Sequence, residues 1–237
     1  MALVPCVEFT DLDNQPHAIY RTEVHEVRKR SVRVALPQGV ISDWIASSHV
    51  HRELAISIFI IGDFETELSL LDPLAKSVLH YCRLLLPDDR VLLRKVRSLA
   101  EFGKWCSREA NAYTHVILIG HGSHNGILFG MDGIASPQLI HAQIEPHFNS
   151  AKYFISLCCE TGYADFGRHF SNFRGVCRGL AAPFHSVHSA IASQFCQTLL
   201  ADHLLNGYSF GVAFDHARDA VPGSDSFRLW QAGRMST

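Results

Sequence analysis

The chain has 237 residues, 47% of them apolar, with 21 Lys and Arg against 23 Asp and Glu for a formal charge of −2. A chain of this length and apolar content buries a substantial core in one domain, or in one domain with an appendage, which excludes a disordered polypeptide. The balanced charge leaves no electrostatic footprint for nucleic acid, so phosphate-driven binding is set aside.

Residues 1–50 read as a β-rich N-terminal appendage. Short β-prone pieces at Val4 to Phe9, His17 to Val27 and Ser31 to Leu36 are broken by the turn formers Asp11-Leu12-Asp13-Asn14 and Pro37-Gln38-Gly39. From residue 51 onward the pattern becomes regular. Leu54 to Ile61 predicts a strand, apolar but for Ser57 and closed by Gly62-Asp63, and Glu65 to Leu86 carries Leu68, Leu71, Leu74, Ala75, Val78, Leu79 and Cys82 at helical spacing. Val91 to Val96 predicts the next strand. Ser98 to Ala112 predicts a helix opened by a Ser98/Glu101 capping box.

The alternation continues with a strand over Thr114 to Ile119, a helix over Ser136 to Phe148 with Pro137 in its first turn, and a strand over Tyr153 to Cys158. Val176 to Ala182 is a further strand. Ser189 to Leu205 and Phe210 to Asp219 are helices separated by Asn206-Gly207, and Phe227 to Ala232 is a last strand. Apolar strands alternating with helices predict an α/β fold, a mostly parallel central sheet covered on both faces, over residues 51–237. Chemistry in such sheets gathers outside the carboxyl ends of the strands, which directs attention to the residues after Ile119 and Leu157.

Other classes fall away on the same reading. The longest apolar runs, such as Ile58 to Ile61 and Val116 to Ile119, are far short of the roughly 20 residues that span a bilayer. Met1 to Cys6 lacks the basic start and long apolar run of a secretory signal, so a cytoplasmic location is expected. The seven cysteines, 6, 82, 106, 158, 159, 177 and 196, contain no Cys-x-x-Cys pair. Their odd number and the absence of an export signal predict free thiols, with no thiolate zinc site and no disulfide framework.

Two segments carry candidate chemistry. Gly120-His121-Gly122-Ser123-His124-Asn125-Gly126 follows one strand and Cys158-Cys159-Glu160-Thr161-Gly162 follows another. A cysteine nucleophile needs a base within hydrogen-bond reach, and two neighbouring strand ends supply that distance without sequence adjacency. Gly122 lets the backbone approach a substrate, with its N–H available to an oxyanion. Adjacent residues at a strand end point to opposite faces, so only one of Cys158 and Cys159 faces His121.

An apolar strand with His-Gly paired with an apolar strand with Cys resembles the caspase-like (clan CD) cysteine peptidases, and in detail the CHAT branch. Ile155-Ser156-Leu157-Cys158-Cys159-Glu160-Thr161-Gly162 is similar to that branch's Leu-Ser-Ala-Cys-x-Thr-Gly, aligning Cys159 with the nucleophile. Leu204-Leu205-Asn206-Gly207-Tyr208-Ser209, Val212-Ala213, Ala217-Arg218 and Leu229-Trp230-Gln231-Ala232-Gly233 are similar to the family's downstream series. The resemblance covers roughly residues 54–233. It implies a caspase-like three-layer sandwich in which His121 is general base and acid, Cys159 the nucleophile, and the N–H groups of Gly122 and Cys159 the oxyanion hole. The reaction implied is peptide-bond hydrolysis through a thioester, with a protein substrate and no cofactor. Family members often act in bacterial, including antiviral, defence or signalling downstream of a sensor, which implies a separate activating partner.

Departures bear on specificity. Phe184-His185-Ser186-Val187-His188 stands where CHAT sequences commonly carry Trp-x-x-x-Asp, which puts His185 beside the expected substrate cleft. Leu157 occupies the position two before the nucleophile that reads the cleavage-site side chain in several relatives, and Asp165 is a further selectivity candidate. The altered segment also motivates an alternative, a catalytically inactive binding or sensor module on the same fold. A third reading, a serine hydrolase, comes from Gly207-Tyr208-Ser209-Phe210-Gly211, but that motif requires a preceding strand. A helix is predicted there instead, so Ser209 is expected to cap the next helix.

Overall fold

The structure is a computed structural model and describes residues 6–10, 16–19, 24–35, 40–46, 50–51, 55–109, 113–148 and 150–236. The N-terminal portion holds β1 (Cys6–Thr10), β2 (Pro16–Ile19), β3 (Val24–Arg28), β4 (Ser31–Val34), β5 (Ile45–Ala46) and β6 (Val50–His51). They form two three-stranded antiparallel sheets, β2-β1-β6 and β3-β4-β5. The single strand predicted over His17 to Val27 is two strands, and the predicted turns at 11–14 and 37–39 lie outside the described residues.

The remaining chain supplies β7 (Ile56–Ile61), α1 (Leu68–Leu85), β8 (Val91–Val96), α2 (Leu99–Glu109), β9 (His115–Gly120), β10 (Gly122–Ser123), β11 (Gly126–Phe129), β12 (Gly133–Ala135), α3 (Pro137–Ile144) and β13 (Lys152–Ser156). These are followed by α4 (Ala164–Ser171), β14 (Cys177–Pro183), α5 (Ser189–Leu204), α6 (Phe210–Ala220), β15 (Phe227–Gln231) and β16 (Arg234–Met235). The central sheet has seven strands in the order β16-β15-β14-β13-β9-β7-β8. The five from β14 to β8 are mutually parallel, β15 pairs antiparallel with β14, and β16 pairs antiparallel with β15.

Two-residue alternation explains the layers. Ile56, Ile58 and Ile60 of β7, Ile117 and Ile119 of β9, and Tyr153 and Ile155 of β13 pack with α1, α5 and α6. Phe59, Ile61, Val116, Leu118 and Phe154 point the other way, into a second core with α2, α3 and α4. The result is the α/β three-layer sandwich expected from the pattern.

The first predicted helix starts at Leu68 rather than Glu65, because residues 63–67 form a turn in which the Glu67 N–H donates to the Asp63 carbonyl at 2.8 Å. The predicted helix to Phe148 ends at Ile144, and a single tighter turn, Glu145–His147, carries Pro146.

Beneath the amino ends of β9 and β13, His203 of α5 is wholly buried among His115, Tyr153 and Phe210, and its Nδ1 lies 2.7 Å from the Tyr208 carbonyl oxygen. Burial chiefly, with a contribution from the Arg178 charge, pulls its pKa from 6.5 down to about 4. Folded protein therefore keeps His203 neutral where the unfolded chain already binds a proton. Stability is full above about pH 6.5 and is lost as pH falls toward 4, by about 3 kcal/mol when the window is fully crossed. Urea unfolding at pH 7 and pH 4.5 is expected to show this loss. In His203→Gln the pH-dependent part of the loss is expected to shrink.

Candidate active site

In the strand order β8-β7-β9-β13-β14, the chain starts at β7, steps outward to β8 and returns past β7 to β9. This is the doubly wound arrangement in which helices leave neighbouring strand ends toward opposite faces, opening a crevice between β7 and β9. The residues immediately beyond those two strands and β13 are Gly62 to Glu67, His121-Gly122 and Leu157 to Gly162.

Register sets the two candidate loops side by side. Parallel pairing of β13 with β9 matches Ser156 to Leu118, and the Leu157 N–H donates to the Leu118 carbonyl at 2.8 Å, so the segments carrying Cys159 and His121 leave neighbouring strands at the same edge of the sheet. Neighbouring strands lie about 4.8 Å apart. Contact persists past the strand ends, since a Cβ at Gly122 would lie 2.5 Å from the Cys159 carbonyl oxygen, 2.9 Å from Cys158 Cβ and 3.0 Å from Thr161 Cγ2. Only a residue without a side chain lets these loops meet so closely. The described structure thus brings together the loops carrying His121, Gly122 and Cys159.

The two cysteines are told apart by alternation. Leu157 is buried toward the α1 face and Cys158 toward the α2 face. Cys158 is 0% exposed, with its Sγ 3.7 Å from the Leu118 carbonyl, and burial pushes its thiol up to about 12. Cys159 sits in the turn itself and is partly exposed.

A buried network holds that turn. Ser156 Oγ and Thr161 Oγ1 are 2.7 Å apart, the Thr161 hydroxyl donates to the Cys158 carbonyl at 2.8 Å, and the Cys158 N–H donates to Ser156 Oγ at 3.3 Å. Gly162 is anchored by its N–H to the Pro183 carbonyl at 2.7 Å and by its own carbonyl to the Trp230 indole N–H at 2.8 Å. Glu160, the residue after Cys159, adopts φ 61°, a left-handed conformation uncommon for a side chain other than Gly, Asn or Asp. Backbone held in such a region beside a candidate nucleophile is over-determined by its surroundings, here the bonds of Ser156, Thr161 and Trp230.

His121 is 41% exposed in its side chain, and its Nε2 lies 3.6 Å from Glu67 Oε1. Its carbonyl accepts the Leu128 N–H at 2.9 Å, tying it to the small β10-β11-β12 sheet. Nearby, His124 Nδ1 lies 3.7 Å from Glu160 Oε2. Tyr163 stacks on Phe184 at 3.9 Å and meets His185 edge-on at 6.1 Å and His124 at 6.1 Å. The segment from Phe184 is therefore drawn toward the turn after β13 through Tyr163. Asp165 is exposed in the first turn of α4, whereas Leu157 turns its side chain into the core. Ser209 caps α6, its Oγ accepting the Val212 N–H at 3.3 Å, with α5 preceding it.

Sequence reasoning did not single out Glu67, Ser156, Thr161 or Tyr163. Ser156 and Thr161 lay inside the quoted motif. Glu67 offers no local signal, because its proximity to His121 arises only from β9 pairing with β7.

No family model and no curated protein matches the chain by sequence. Among solved structures, it is similar to a secreted C11 cysteine protease from Bacteroides thetaiotaomicron, held in complex with an irreversible peptide inhibitor, with a TM-score of 0.52 and 7% identity. The match covers 76% of this chain and 66% of that one. A second similarity, to separase of Saccharomyces cerevisiae in its complex with securin, has a TM-score of 0.44 and 12% identity over 76% of this chain and 12% of separase. The likeness to the C11 protease is one of fold. Among the described residues no helix is long and apolar enough to cross a membrane.

Proposed function

We propose that this chain is a cysteine endopeptidase of the CHAT branch that cleaves a peptide bond in a protein substrate with His121 and Cys159. The observation that supports the reading is the close approach of Gly122, the residue after His121, to the turn after β13, where a Cβ at Gly122 would lie 2.5 Å from the Cys159 carbonyl oxygen.

In this reading the Cys159 proton passes to His121 as the sulfur bonds to the substrate carbonyl carbon and the carbonyl π electrons move to oxygen. The resulting oxyanion accepts from the N–H groups of Gly122 and Cys159. Collapse breaks the C–N bond, and the departing amine takes the proton from His121. Water then attacks the thioester carbon and gives a proton to His121. The acid product leaves and the thiol is restored. With Leu157 buried, selection of the substrate residue falls to exposed groups around the turn, among them Asp165 and His185. The β-rich residues 1–50 are a regulatory piece, and a separate partner in a bacterial defence or signalling pathway releases activity in the cytoplasm.

Thiol labelling tests the reading. Burial holds Cys82 and Cys158 up to about 12 and raises Cys177 and Cys196 as well, and Cys106 is also buried, while Cys159 is partly exposed. Iodoacetamide under native conditions, read by peptide mass spectrometry, is expected to modify Cys159 well ahead of the others. Equal modification of the described cysteines, with no cleavage of a peptide library, would count against the peptidase.

A further inference from the structure

Glu67 stands at the crevice between β7 and β9 with its carboxylate already built into position. One oxygen, Oε2, accepts the Asp63 N–H at 2.8 Å, while the Glu67 N–H returns a bond to the Asp63 carbonyl at 2.8 Å. The turn therefore closes on itself through the side chain and main chain of one residue. Gly62 is shaped around the same group, since a Cβ there would collide with Glu67 Oε2. Arg97 Nη2 lies 3.6 Å from Asp63 Oδ1 and 3.6 Å from Glu65 Oε1, so the two other carboxylates of the loop face a guanidinium. The second oxygen of Glu67, Oε1, faces His121 Nε2 at 3.6 Å, and the carboxylate side chain is only 20% exposed.

We propose that Glu67 is the positioning residue for His121: its carboxylate holds the proton on Nε2 and leaves Nδ1 as the nitrogen that takes the Cys159 proton. The inference rests on the peptidase reading of His121 and Cys159. An imidazole has one donor and one acceptor nitrogen when neutral, and the group facing one nitrogen decides which is which. With a carboxylate at Nε2, the proton resides there and the lone pair sits on Nδ1. When the ring takes the thiol proton, the positive charge that develops lies beside an anion anchored at its other oxygen. A contact of 3.6 Å is longer than a settled hydrogen bond. Catalytic contacts of this sort are often loose without substrate and tighten as charge develops.

The test has two parts. Nitrogen-15 shifts of the His121 ring in the wild-type protein near pH 8 are expected to show the proton on Nε2; a ring protonated chiefly on Nδ1 would overturn the proposal without any variant being made. In Glu67→Gln, the ring is expected to become a mixture of the two forms, kcat to fall about tenfold or more with KM little changed, and alkylation of Cys159 to slow in parallel. A folded Glu67→Gln protein with wild-type kcat and an unchanged ring would also overturn it. Failure of the peptidase reading has a different signature, a wild-type protein that neither cleaves peptides nor alkylates preferentially at Cys159, and it would be seen before Glu67 is touched.

Discussion

Cys159→Ala is expected to reduce peptide cleavage by about 10³-fold or more, and His121→Ala to do nearly the same, with the double variant little worse than either. Non-additivity is the informative part. Nucleophile and base act in one step, so removing either removes the step, and the second substitution has nothing further to take away. Cys158→Ala is the internal comparison: its thiol is wholly buried, packs against Leu118 and is held up to about 12, so cleavage is expected to survive. The residue is also part of the core below the turn, so Cys158→Ala should cost a little stability while Cys159→Ala should not. Cleavage lost in Cys158→Ala and kept in Cys159→Ala would transfer the nucleophile to the buried sulfur. Undiminished cleavage in Cys159→Ala, His121→Ala and their double variant would remove the dyad altogether.

How far the sequence reveals this arrangement depends on what each residue answers to. β7, β9 and β13 are legible because both faces of each are buried, which leaves almost continuous apolar runs such as Ile58 to Ile61 and Val116 to Ile119. The start of α2 is legible because its capping residues are local: the Glu101 N–H donates to Ser98 Oγ at 3.1 Å, and its carboxylate accepts the Arg97 N–H at 2.6 Å. Elements that depend on distant partners are not legible. α4 has eight residues with Gly167 in the middle, a weak helical signal, and glycine is required because the Trp230 indole rests against it. The β10-β11-β12 sheet is built of strands two to four residues long in a glycine-rich stretch that reads as loop. The last strand stops at Gln231 because Ala232 and Gly233, at φ 48° and 76°, turn the chain into β16. Within the site, His121 and Cys159 follow apolar strands and so announce themselves. Glu67 does not, since its role is assigned by strand order.

Gly122→Ala is expected to reduce kcat/KM by about 10²-fold while leaving most of the fold intact, because its added methyl group lands on the meeting point of the two loops. That Cβ would lie 2.5 Å from the Cys159 carbonyl oxygen and 2.9 Å from Cys158 Cβ, both far inside normal contact. Neither neighbour is the free end of a flexible side chain. The Cys159 carbonyl belongs to the turn fixed by Ser156, Thr161 and Gly162, and Cys158 is embedded in the core. Relief therefore comes from moving the 121–123 strand end away from the turn, which separates the imidazole from the sulfur and withdraws the Gly122 N–H from the oxyanion. A displacement of about 1 Å is enough for a loss of this size. The β10-β11-β12 sheet hangs from the same strand end through the His121 carbonyl and the Leu128 N–H. It is expected to shift with that strand end, while the seven-stranded sheet keeps its register. Thermal unfolding measured beside turnover separates the two consequences. A small drop in Tm with a large drop in kcat/KM supports the geometry, and full activity in a folded Gly122→Ala protein would show that the loops do not need to meet for the chemistry.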